Sequence, residues 1–125
     1  MGFDLTVMQM MMDLKISGVL TGRSVVEFGH SDILVPREHI EALFRANKEV
    51  NNLNLNPDDL FRGQGTKKKA AQLFYKQLGF DQYASIDLFD ERAKFRIDLN
   101  SVYEVKNSSE KHDLLCNLGT SEHVF

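Results

Sequence analysis

The sequence predicts an α/β fold, a doubly wound and mainly parallel sheet of about four strands with flanking helices. Three observations predict it. Short apolar runs rich in β-branched or aromatic residues recur at 24–28, 83–88, 95–100 and 114–118. Segments with helical apolar spacing stand before or between them, at 3–17, 37–46 and 66–78. The first run ends in Glu27-Phe28-Gly29, a carboxylate and then a turn-forming glycine. A parallel strand that ends this way delivers its last residues to the sheet edge where open α/β folds bind ligands.

The bulk composition narrows the setting. A chain of 125 residues suits one domain, and 42% hydrophobic with 26% charged residues is an ordinary globular balance. A net charge of -3 gives no general attraction to nucleic acid or to an anionic membrane. No apolar run is long enough to span a bilayer. Asp4 and Asp13 flank the first apolar residues without a basic start, so the N-terminus does not read as a signal peptide. Cys116 is the single cysteine, which excludes an internal disulfide and fits the cytoplasm.

Taken in order, residues 3–17 carry Leu5, Met8 and Met12 on one stripe, and Gly18 suits the helix end. The methionines at 10–12 are read as a packing face. Gly22 turns a short connector into the first strand, 24–28. Glu27 inside that strand needs a partner to be tolerated. Ile33-Leu34-Val35 is a short apolar stretch, and Pro36 fits the opening of a helix over 37–46 with Ile40, Leu43 and Phe44 inward. Residues 47–65, rich in asparagine and glycine, read as a surface insertion tacked down by Leu53, Leu55, Leu60 and Phe61. Thr66 is placed to cap a helix to Leu78, with Ala70, Leu73, Phe74 and Leu78 inward and Gly79 as the stop. Lys67-Lys68-Lys69 reads as a solvated face, so nucleic-acid binding is not expected. The second strand, 83–88, is followed by a polar turn at Asp90-Glu91-Arg92, a third strand at 95–100, a polar crossover at 101–110, and a fourth strand at 114–118. Gly119-Thr120 turns the chain, and Ser121 to Phe125 reads as a helix start.

Parallel strands in this order bring Glu27, Gly29, Asp87, Asp98, Leu99 and Asn117 to Gly119 to one rim. A carboxylate after the second strand can accept both hydroxyls of a ribose, and an Asp beside a main-chain amide after the third can read an adenine edge. The four histidines lack metal-ligand spacing and one cysteine makes no zinc cluster, so no metal is expected. The three-glycine fingerprint of nicotinamide dinucleotide enzymes is missing after Gly29.

With those residues in place, the chain resembles a class I S-adenosylmethionine-dependent methyltransferase. Val25-Val26-Glu27-Phe28-Gly29, Ser85-Ile86-Asp87-Leu88, Phe95-Arg96-Ile97-Asp98-Leu99-Asn100 and His112 to Val124 stand where that family has its first four motifs. The resemblance covers residues 20–125 and implies a Rossmann-like sheet that binds S-adenosylmethionine. It implies that Asp87, followed by Leu88, holds the ribose hydroxyls, and that Asp98 and Leu99 flank the adenine. Gly29 and His30 would lie along the methionine portion, Glu27 near its ammonium, and Asn117, Leu118 and Gly119 at the methyl-donor pocket. Catalytic residues and the methyl acceptor are not assigned. The family's sheet continues beyond the strands read here. The chain is therefore expected to be the N-terminal, cofactor-binding part of a longer protein, one truncated domain over 1–125. In it, 1–23 would be a helix and connector and 24–125 a half-sheet with an insertion near 31–65. The alternative is a non-catalytic module of the same shape that self-associates through its open sheet edge as a homo-oligomer.

Overall fold

The computed structural model describes residues 2–61, 69–101 and 110–119. The expected cap at Thr66, the lysines at 67 and 68, most of the polar crossover and residues 120–125 lie outside them. The described chain is an α/β fold with parallel strands and flanking helices. Its strands form two small sheets rather than the expected single one.

The larger sheet is built on β2 (Ser24–Phe28), which lies between β5 (Gln82–Ile86) and β6 (Leu114–Asn117), both parallel to it. Val25 and Val26 are both buried, as β-branched residues of a central parallel strand should be. In register, Val25 stands between Tyr83 and Leu114, and Glu27 between Ser85 and Cys116. Side chains alternate along a strand. One face therefore carries Val25, Glu27, Tyr83, Ser85 and Cys116, and the other carries Val26, Phe28, Ile86 and Leu115. The first face joins the core formed with the helices.

The second sheet has the order β1 (Gly2–Phe3), β3 (Asp32–Ile33), β4 (Lys69–Ala70). Gly29 has φ 79°, a left-handed conformation that turns the chain out of the first sheet. Asp32 and Ile33 then pair in parallel with Gly2 and Phe3, and antiparallel with Lys69 and Ala70. This is why the helix expected from Thr66 begins only at Ala71. Residues 69 and 70 are in the sheet, and the Ala71 amide donates to Ser31 O at 3.4 Å.

Among the described residues, three α-helices cover the core face. In α1 (Leu5–Ile16), Asp4 caps the first turn by accepting from the Val7 amide at 2.8 Å, and Met8, Met11 and Met12 are buried. α2 (Arg37–Asn51) follows Pro36 and buries Ile40, Phe44 and Asn47. It runs past the expected end at 46 because the Asn47 side chain has partners within the helical packing. Its amide donates to Leu43 O at 2.9 Å and to Gln9 of α1 at 3.0 Å. Asn52 closes the helix with φ 54°. Within the expected insertion, Pro57–Leu60 form a 3-10 turn that buries Leu60. α3 (Ala71–Gln77) buries Phe74 and Tyr75. Phe3 meets both rings edge-on, at centroid distances of 5.7 and 5.4 Å.

The expected third strand is reduced to one residue. Phe95 bridges Ile86 in parallel, donating to Ser85 O and accepting from the Asp87 amide, both at 3.0 Å. The ladder stops there because Asp98 closes a turn. Its carboxylate accepts from the Asn100 amide at 2.9 Å and its carbonyl from Ser101. The second strand likewise ends at Ile86, before Asp87.

The opposite end of the sheet is held by Asp113. Its carboxylate accepts from the Arg23 and Ser24 amides at 2.8 and 3.0 Å and from Ser24 Oγ at 3.0 Å. Those bonds hold its carboxyl below the ordinary carboxylate range. Gly22 sits against it with φ 92°, and a Cβ there would overlap the Asp113 side chain. Gly22→Ala is expected to cost about 1–3 kcal/mol through left-handed strain and the displaced carboxylate. Urea denaturation checks this, with Gly18→Ala as the control because a Cβ at Gly18 (φ 78°) meets nothing.

Candidate functional site

The site grows from the carboxyl ends of β2 and β5 and from the bridge at Phe95. The register that pairs Phe28 with Ile86 and with Asn117 sets the next residues, Gly29, Asp87 and Leu118, side by side. The Gly29 amide extends the ladder by donating to Ile86 O at 2.8 Å.

Glu27 is 1% exposed and anchors this end from beneath. Tyr75 Oη donates to Oε1 at 2.8 Å, Tyr83 Oη to Oε2 at 2.6 Å, and the Ser31 amide to Oε2 at 3.3 Å. The partner that a carboxylate in an apolar strand requires is thus a pair of tyrosines from α3 and β5. Burial, and then the neighbouring Glu27 charge, push both phenols far above the ordinary tyrosine value. They stay protonated and donating at any physiological pH. Cys116 lies on the same face, and burial raises its thiol. It is a core residue beside the Tyr75 hydroxyl.

His30 follows the Gly29 turn. Its Nδ1 is 2.9 Å from Ser85 Oγ, and its ring meets Tyr83 edge-on at 5.8 Å. Burial first, and then the Arg92 charge, lower its pKa, so the imidazole is neutral at pH 7. Arg92 spans the rim. It donates to Asp32 Oδ1 at 2.8 Å and holds Asp90 through two nitrogens, at 3.0 and 2.6 Å. The fork keeps the Asp90 carboxyl well below its ordinary value. It also ties the loop after β5 to the second sheet.

Asp87 opens that loop. Its Oδ1 accepts from the Phe89 and Asp90 amides at 2.8 and 3.0 Å, an Asx turn that fixes the carboxylate. Among the described residues, Oδ2 has no hydrogen-bond partner. Leu88 and Phe89 follow, 37% and 83% exposed. Asp98 closes its own turn beyond Phe95. Leu99 lines a cavity of about 210 Å³ on the far face of the sheet with Val26, Phe28, Ile86, Phe95 and Leu115. Asn117 is exposed at the end of β6, and Gly119 has φ 103°.

The structure therefore brings Gly29, His30 and Asp87 to one edge with Asn117 beside them. It places Leu99 on the far face and Glu27 under the rim. Sequence reasoning missed Tyr75, Tyr83, Ser85, Asp32 and Arg92. Only Ser85 carried a signal, since strand pairing sets it opposite Glu27. Among the described residues, no cluster of His, Cys, Asp or Glu could hold a metal ion, and no helix is long and apolar enough to cross a membrane.

Compared with known proteins, the chain matches no family model, no curated protein and no solved structure.

Proposed function

We propose that this chain is the cofactor-binding part of an S-adenosylmethionine-dependent methyltransferase, and that its larger sheet is half of a Rossmann-like sheet. The observation that carries the reading is the order Phe95, β5, β2, β6, all parallel, with a glycine turn after β2 and a carboxylate after β5 at the same edge. In an open parallel sheet that edge is where a nucleotide-bearing ligand sits.

The residues fit the group. Asp87 is held by two amides through one oxygen, which leaves Oδ2 for ribose hydroxyls. Among the described residues, two buried polar atoms just after Gly29, His30 Nε2 and Ser31 Oγ, have no hydrogen-bond partner. Buried polar atoms are nearly always bonded, so a pair of orphans in a rim turn points to a polar ligand. Asn117 and Gly119 stand at and just past the end of β6.

The cofactor, when bound, supplies a methyl group already activated on a sulfonium. The chain's part is to bind and orient, and orientation alone supplies much of such a rate. Asp87 holds one end, the Gly29 turn lets backbone approach the other, and Arg92 keeps the two sheets from parting between them. Isothermal calorimetry with S-adenosylhomocysteine tests the reading. Binding heat is expected, and its absence at millimolar ligand on folded protein refutes it.

A second reading, a non-catalytic module that self-associates, is favoured by β6. Among the described residues this strand pairs only with β2, and its Leu115 is 56% exposed. That reading expects a sedimentation coefficient that rises with concentration and a melting temperature indifferent to S-adenosylhomocysteine. A monomer at all concentrations rejects it.

A further inference from the structure

The cavity on the far face of the larger sheet, about 210 Å³, has an apolar lining that includes the Phe28 and Phe95 rings. Among the described residues, its polar members are Glu110 and His112, and His112 Nδ1 is buried with no hydrogen-bond partner. The imidazole stands edge-on to Phe95 at 6.5 Å, and its side chain is only 14% exposed. Buried polar atoms are nearly always bonded, so this nitrogen marks a place for a ligand atom. Glu110 Oε2 lies 3.7 Å from His112 Nε2. A carboxylate draws the imidazole proton to the nearer nitrogen, so in the neutral ring Nε2 carries it and Nδ1 is the acceptor. Lys94 donates to both Glu110 oxygens, at 3.2 and 2.9 Å, and offsets that charge.

Water suits such a space poorly. It needs roughly two to four polar partners, and an apolar cavity without them stays dry. A molecule with an apolar body and a single donor suits it better. An apolar cavity of about 150 Å³ holds one benzene ring, so this volume takes one ring or two fused ones. A carboxylate on the ligand would meet the Nδ1 lone pair and the Glu110 charge, which disfavours fatty acids and aromatic acids. We infer that the cavity is a second binding site, for a small aromatic molecule of one or two rings that donates one hydrogen bond, from an aromatic N–H or O–H, to His112 Nδ1. The site lies on the sheet face opposite the helices, whereas Asp87 stands past the strand ends. It does not rest on the cofactor reading, and either can fail alone.

The test uses indole as the probe and amide chemical shifts as the readout. Indole is expected to bind with a Kd of about 0.1–1 mM and to shift Val26, Ile86, Phe95, Leu99, His112 and Leu115. Indene, the same shape without the N–H, is expected to bind at least about fivefold more weakly. Benzoate is expected not to bind. His112→Phe keeps a ring and removes the acceptor, so it should bind indole and indene equally. The comparison of indole with indene needs no variant, and it decides the matter even if His112→Phe fails to fold. An excess of S-adenosylhomocysteine should leave indole bound. No indole shifts at millimolar concentration, shifts outside the cavity, equal binding of indole and indene by the wild type, or binding of benzoate each overturns the inference. So does a preference for indole that survives in His112→Phe, or displacement of indole by S-adenosylhomocysteine. Every one of these results leaves the cofactor reading standing.

Discussion

Glu27→Ala is expected to cost about 3–5 kcal/mol of folding stability, the largest effect of any single substitution considered. The change strips the acceptor from two phenols at once. Tyr75 is fully buried, so its hydroxyl cannot turn to water. Tyr83 is partly buried, and its hydroxyl loses a 2.6 Å bond. The Ser31 amide loses its side-chain acceptor as well. A domain of this size has only about 5–15 kcal/mol in total. Urea denaturation at pH 7.5 measures the loss. Because the cost lies in the orphaned hydroxyls, combining Glu27→Leu with Tyr75→Phe and Tyr83→Phe should recover most of it. A Glu27→Ala protein within about 0.5 kcal/mol of wild type would mean that the carboxylate is not the anchor of this sheet.

Asp87→Ala is expected to weaken S-adenosylhomocysteine about 10- to 100-fold, from the loss of charge-assisted bonds to the ribose and of the turn that aims them. Asp87→Asn separates the two contributions. Its side-chain oxygen still accepts from the Phe89 and Asp90 amides, so the loop holds, while the charge is gone. It should lose about tenfold in affinity with little change in melting temperature. Equal affinity in wild type and both variants, measured by calorimetry, would remove Asp87 from the site.

The sequence was informative where a single segment decided the outcome. Val25-Val26 followed by Gly29 marks a buried strand and its exit, and the structure has both. The need of Glu27 for a partner was also legible, but the partners were not. Tyr75 and Tyr83 lie 48 and 56 residues further on, and no local pattern links them to a carboxylate. The second sheet escaped notice because two-residue strands have no periodicity to read. Phe95, Ile97 and Leu99 do alternate, and all three line the same cavity. Alternation reports a shared face, not a ladder, and Asp98 ends the ladder by turning the chain. Arg92 belonged to an unremarkable polar turn, and its tie to the second sheet comes from Asp32, 60 residues away in sequence.

The most direct test is to map amide chemical-shift changes in the folded protein on adding S-adenosylhomocysteine. The account predicts a contiguous set at Gly29, His30, Asp87, Leu88 and Asn117 to Gly119, with α1 unmoved. Shifts confined to the α1 surface, or none at millimolar ligand, would contradict it.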